Sequence, residues 1–287
     1  LELYDILEEN KTSVMDFKAS TFVDLKKLVI SNFAVELRDS KNHLTLLNEI
    51  ILNNVPTIDD ELSLRTSVHL EHLHLESLEN IRRLEINPFS KLKTIFICKC
   101  GFQEFPKALY NLRDVRLVYF GCLTWQSLPK SIGSWKSMKT LSIQNCKLMM
   151  ELPDTIVECK NLEKLIVSQA QLNRLPDHIV KECTKLHHMS IISTPLECFP
   201  VEISTSLMDL ELRHVQLDYI PETLTKCTNL KKIFIWNNTK LESVPFNWVQ
   251  CEKLTNLDLL CPPLCNLENI VLFLSLIHIS EPTRHRG

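Results

Sequence analysis

The chain has 287 residues, 45% of them hydrophobic, with 32 basic against 35 acidic side chains and a formal net charge of −3. That balance leaves no basic excess to neutralise phosphates, which argues against nucleic acid as a partner. No apolar run approaches the roughly 20 residues that span a bilayer, and the 4 glycines are scattered, which excludes a phosphate-cradling loop of the P-loop or dinucleotide type.

At the start, Leu3-x-x-Ile6-Leu7 already reads as part of a repeat, with no N-terminal capping unit, and residues 1–21 are expected to be a truncated or irregular segment. Beyond it the first apolar residue of successive units falls at Leu25, Leu47, Leu70, Leu92, Leu112, Met138, Leu162, Leu186, Leu207, Leu230 and Leu254. The steps run from 20 to 26 residues and centre near 23. One clean unit reads Leu162-x-x-Leu165-x-Val167-x-x-Ala170-x-Leu172-x-x-Leu175-Pro176-x-x-Ile179. The units from Leu186 and Leu207 repeat it, closing on Phe199-Pro200 and Ile220-Pro221.

The spacing has a direct physical reading. The second and third apolar residues of a unit are two apart, so on a strand both face the core and their neighbours face solvent. Proline has a fixed φ and no donor, so it ends the strand and suits the loop behind it. The apolar residue three positions after the proline anchors the outer arc. No single turn buries its own leucines, but stacked turns share one core. Near residue 81, Ile81-x-x-Leu84-x-Ile86 competes with Leu70-x-x-Leu73-x-Leu75, and eleven residues are too few for a turn, so one of the two belongs on the outer arc. The step from Leu112 to Met138 is 26 residues, which predicts a bulged loop around Gly121-Cys122-Leu123-Thr124-Trp125.

Over residues 22–273 this pattern resembles the leucine-rich repeat family, in its L-x-x-L-P variant. It is similar to repeats of intracellular Ras-pathway scaffolds and plant-type immune receptors. Cys100, Cys146 and Asn238 occupy the slot where the family has Asn or Cys, and Phe120, Ala170, Thr194 and Val215 are read as departures there. The resemblance implies an α/β solenoid of about eleven repeats: a horseshoe with a concave parallel sheet and a short helical or irregular outer arc. It also implies recognition of another protein. Residues 274–287 include Leu274 to Arg284, which resemble a translated sequencing adapter, so this tail is expected to be non-native and the chain a fragment.

The 11 cysteines follow the repeat rather than any metal motif. Cys159, Cys183, Cys227 and Cys251 each stand three residues before a unit's first leucine, a slot also assigned to Trp135 and Leu109, so they read as buried apolar packing. Unpaired thiols favour a reducing compartment and a cytoplasmic location; the sequons at Asn10 and Asn237 would matter only in a secreted chain. His72 and His74 would share one strand face, but no third ligand is fixed by spacing and a solvated pair is expected. No catalytic constellation, cofactor motif or metal site is read from the sequence, so an enzyme is not expected.

Function is therefore expected on the concave face. Two clusters of interface-type residues stand out there. Arg213, His214, Phe234 and Trp236 join two units toward the C-terminus. Phe96, Arg116, Val118 and Tyr119 join two units in the middle. The expected module is a monomeric, protein-binding scaffold without membrane insertion; the alternative is the ligand-sensing part of a multidomain immune-type receptor or a receptor ectodomain.

Overall fold

The computed structural model describes residues 2–4, 24–32, 44–56, 60–245 and 248–261. Fourteen strands are present among them. They are β1 Glu2–Tyr4, β2 Lys27–Ser31, β3 Glu49–Asn53, β4 Glu61–Leu64, β5 His72–Glu76, β6 Arg83–Ile86 and β7 Thr94–Cys98. The series continues with β8 Leu117–Gly121, β9 Thr140–Gln144, β10 Lys164–Ser168, β11 His188–Ile192, β12 Asp209–Arg213, β13 Lys232–Trp236 and β14 Asn256–Leu260. Twelve of them form a single parallel sheet in the order β1-β2-β3-β5-β7-β8-β9-β10-β11-β12-β13-β14, and β4 and β6 form a separate two-stranded parallel sheet. The chain is a solenoid, with the large sheet lining its concave side.

Strands β3 to β7, β10, β12 and β13 bury alternate residues, as the period-2 pattern requires. Ile50 and Leu52, Leu165 and Val167, and Leu210 and Leu212 are fully buried, and repeats stack these pairs into one continuous core. Leu73 and Leu75 enter the large sheet on β5, while Leu84 and Ile86 of β6 pair with Leu62 and Leu64 of β4 and cover the same core. That resolves the competition near residue 81. Behind the strands, Pro106, Pro129, Pro153 and Pro221 each open a short 3-10 helix in extended geometry, and Pro176 precedes α1 (Ile179–Glu182). The apolar residue three beyond each of these prolines (Leu109, Ile132, Ile156, Ile179, Leu224) is buried as its anchor.

One unit has a different phase from the expected one. β8 turns Val118 and Phe120 inward, and Val115 rather than Leu112 is its first apolar residue. The steps are then 115 − 92 = 23 and 138 − 115 = 23, so the predicted bulge at Gly121–Trp125 is absent. Instead Leu123 and Trp125 are buried, and Phe120 is a core residue of the strand rather than a departure in the Asn/Cys slot. Leu112 takes the slot of Cys159 and Trp135, and Leu109 that of Ile132 and Ile156.

The Asn/Cys slot has a physical job. Asn238 accepts a hydrogen bond from the Val215 amide at 2.8 Å and donates to the Leu212 carbonyl at 3.2 Å, tying two repeats together. Thiols in this slot donate in the same direction: Cys100 to Leu75 and Cys146 to Phe120. A second ladder runs along the end of the sheet. Ten non-glycine residues, from Asn32 to Asn237, each follow a strand with positive φ. Each donates its amide to the last carbonyl of the next strand, as Asn145 does to Ser168 at 2.8 Å and His214 to Trp236 at 2.9 Å. Left-handed backbone costs a non-glycine residue of order 1–2 kcal/mol, and the inter-repeat hydrogen bonds offset it.

Candidate functional site

The concave face is a grid. Because every strand pair is parallel and in register, one row runs His74, Phe96, Tyr119, Ser142, Ile166, Ser190, Glu211, Phe234, Asp258. Beside it lie Glu76, Cys98, Gly121, Gln144, Ser168, Ile192, Arg213, Trp236 and Leu260.

In the middle of the sheet three rings stack along the row. His74 and Phe96 lie 4.1 Å apart at 14°, and Phe96 and Tyr119 lie 4.4 Å apart at 6°. Neighbouring strands stand about 4.8 Å apart, close to a ring-stacking distance, so successive aromatics in one row stack face to face. Tyr119 bends over Gly121: a Cβ there would meet the ring at 2.7 Å and the Cys98 sulfur at 2.9 Å. Burial raises the Tyr119 hydroxyl to about 12, so it stays protonated. His74 also faces Glu76 at 3.4 Å, and His72 hydrogen-bonds the Thr94 hydroxyl at 2.8 Å. Among the described residues no group of three or more His, Cys, Asp or Glu is placed to hold a metal.

Toward the C-terminus, Arg213 of β12 and Trp236 of β13 are register partners, and the guanidinium lies 3.9 Å from the indole centroid. Phe234 meets Trp236 edge to face at 6.1 Å. Arg213 is also an ion partner of Glu211, without the alignment of a hydrogen bond at Nε, and Glu211 accepts from the Ser190 hydroxyl at 2.7 Å. The indole N–H of Trp236 has no acceptor among the described residues. All four side chains are half-buried, with Arg213 32% exposed.

The structure therefore gathers Phe96 with Tyr119, and Arg213 with Phe234 and Trp236. His214 is exposed at the left-handed turn after β12, with its ring 3.5 Å from Asn237 at the margin of the grid. Two expectations are corrected by the phase of β8. Arg116 is not on the grid: it precedes the strand, exposed, and its carbonyl accepts from Lys139 and Thr140. Val118 faces the core at 2% exposure. Sequence reading missed His74 as the third member of the stack, although it occupies the same unit position as Phe96. The offset to the Leu-Pro pair would have fixed the phase, because Leu128-Pro129 lies at the same distance from Val115 as Leu175-Pro176 from Leu162.

Cys159, Cys183, Cys227 and Cys251 are buried free thiols, as the slot implied. Each donates to a carbonyl of the preceding repeat, as Cys159 does to Ile132 at 3.3 Å and Cys227 to Ser204 at 3.2 Å. Burial pushes Cys159 and Cys227 up to about 12 and Cys183 to about 11, and it raises Cys251 as well. Among the described residues no helix is long and apolar enough to cross a membrane.

No protein-family model matches the chain, and no curated protein matches it by sequence. Solved structures do match by shape. The plant peptide hormone receptor RGFR1, solved in complex with RGF2, superposes with a TM-score of 0.58 at 21% identity, over 89% of this chain and 38% of that one. The leucine-rich repeat domain of the type III effector XopL gives 0.57 at 20% identity, over 77% of this chain and 70% of that one. The chain has the leucine-rich repeat fold. It spans little more than a third of the length of the plant receptor it superposes on. In this leucine-rich repeat solenoid, the two aromatic clusters lie on the open face of the sheet, not in the shared core.

Proposed function

We propose that residues 22–273 are a protein-recognition module that seats a partner's polypeptide segment on the concave face. The observation that carries this is the pairing of two aromatic banks across a low floor. Tyr119 on β8 and Phe234 on β13 are five strands apart, roughly 24 Å at about 4.8 Å per step. Between them in that row stand Ser142, Ile166, Ser190 and Glu211. Ser142 and Ser190 hardly project, at 6% and 3% exposure. About seven extended residues, at roughly 3.4 Å each, bridge that gap. The partner this fits carries an apolar or aromatic anchor at each end of such a segment. Trp236, with a cation over its ring, is the residue type that dominates interface energies.

The role is binding rather than catalysis, and it calls for no cofactor. The free buried thiols favour a reducing, cytoplasmic setting, and a scaffold in preference to a receptor ectodomain. The test is affinity capture from the native cell extract with wild type, Phe96→Ala/Trp236→Ala, and Lys181→Ala, whose side chain pairs with Glu202 behind the sheet. Proteins retained by wild type and Lys181→Ala but lost from the double variant support the reading. An unchanged set in all three overturns it.

A further inference from the structure

We propose that Cys98 and Cys122 form a peroxide-responsive dithiol, a modification site that closes to a disulfide across two neighbouring repeats. β7 and β8 pair Cys98 with Gly121, and Cys122 follows Gly121 in the left-handed turn at φ 52°. A strand step of about 4.8 Å and one residue's advance of about 3.3 Å place their Cα atoms roughly 6 Å apart, inside the disulfide range of about 4.4–6.8 Å. Cys122 lies close enough to Cys98 to add to the upward shift of its thiol.

Gly121 makes this possible. A Cβ at that position would sit 2.9 Å from the Cys98 sulfur, so the Cys98 thiol lies over the glycine and reaches toward the next repeat. Cys122 is exposed, and the Asn145 amide donates to its sulfur at 3.2 Å, fixing its direction. The other two thiols of this region face inward. Cys100 donates to the Leu75 and Cys98 carbonyls and Cys146 to those of Phe120 and Gln144, and both are buried.

The chemistry takes one hydrogen peroxide per disulfide. The Cys122 sulfur attacks a peroxide oxygen, the O–O bond breaks, and a sulfenic acid and water are formed. The Cys98 sulfur then attacks the Cys122 sulfur. The S–O bond breaks, and the hydroxyl leaves with the Cys98 proton as a second water. The sulfur pair loses two electrons and the peroxide gains them. The order follows from exposure: burial raises the Cys98 thiol to about 11, so it resolves the sulfenic acid rather than meeting the oxidant. A thiol reductant reverses the bridge.

The experiment treats the reduced full chain with equimolar hydrogen peroxide, then measures intact mass and a non-reducing tryptic map. Lys99 separates Cys98 from Cys100, so the map distinguishes them. The expected result is loss of two hydrogens, reversed by dithiothreitol, with the peptides of Cys98 and Cys122 joined. Cys98→Ser should accumulate a dimedone-reactive sulfenic acid at Cys122, and Cys122→Ser should form no bridge. If either variant fails to fold, the wild-type map decides alone. A different cysteine pair, or sulfinic acid at Cys122 without a bridge, overturns the proposal.

Discussion

The guanidinium of Arg213 rests 3.9 Å from the centre of the Trp236 indole, across the boundary between β12 and β13. A cation over an indole face contributes of order 0.5–2 kcal/mol, depending on how far it is desolvated. It also holds a large apolar side chain in one orientation on an otherwise open sheet. Arg213→Ala should therefore free the Trp236 ring while leaving the fold in place. Trp fluorescence anisotropy and its quenching by acrylamide check this: more quenching and an unchanged circular dichroism spectrum are expected.

The repeat phase predicts a sharp contrast between adjacent residues. Leu210 is fully buried, whereas Asp209 faces out and sits 3.7 Å from His188. Leu210→Ala should cost about 2–5 kcal/mol because it leaves a cavity in the shared core. Asp209→Ala should change stability by no more than about 0.5 kcal/mol. Urea titration measures both, and equal losses would mean the inward and outward faces are exchanged.

Gly121 is a position where a single carbon redirects the site. Its hypothetical Cβ collides with the far end of the Tyr119 ring and with the Cys98 sulfur, both of which are able to swing away. Gly121→Ala should therefore cost no more than about 1 kcal/mol in urea titration, at the low end of overpacking. It should nevertheless displace Tyr119 from its stack on Phe96, seen as altered ring-current shifts of Phe96 by NMR. Unchanged shifts would show that the ring does not lean on this glycine.

The thiols should separate by class. Cys159, Cys183, Cys227 and Cys251 are buried and protonated, so a disulfide reagent should leave them unmodified in the native chain and label them in urea. Cys122 and Cys198 are exposed and should react at once.

Acid should loosen the surface before the core. Glu71, Glu158, Glu163, Glu182 and Glu202 are each held below the usual carboxylate range, first of all by a hydrogen bond from Lys93, Lys136, Lys139, Lys160 or Lys181 of an adjoining repeat. A depressed carboxylate contributes stability that is present above its unfolded pKa and lost as pH falls through the folded one. Thermal stability should thus decline gradually below about pH 4.5. The decline should be shallower in high salt, because these pairs are exposed and screened. A flat profile down to pH 3 (about one and a half units lower) would show that the lysine ladder contributes nothing.

Much of this was legible in the sequence, for a physical reason. A core built from identical turns writes its period into the chain, so Leu165 with Val167 and Leu210 with Leu212 declare their strands. Where both frames are apolar, the period alone misleads: Leu112, Val115 and Leu117 satisfy the pattern as well as Val115, Val118 and Phe120 do, and that shift put Arg116 on the wrong face. The left-handed ladder was invisible because Lys99, Cys122, Gln169 and His214 share no side-chain chemistry; their common feature is a backbone angle. The pairing of Arg213 with Trp236 was legible because register follows from phase. The stack of His74 on Phe96 was overlooked, since His74 read only as a solvated histidine.

The most direct test of the concave-face account is calorimetric titration of a captured partner into wild type, Phe96→Ala, Trp236→Ala and Lys181→Ala. The account predicts that each aromatic truncation weakens binding by more than about 1–2 kcal/mol, roughly tenfold or more, while Lys181→Ala, behind the sheet, leaves the affinity unchanged. Wild-type affinity in both aromatic variants, with loss in Lys181→Ala, would contradict the account and move the binding surface to the outer arc.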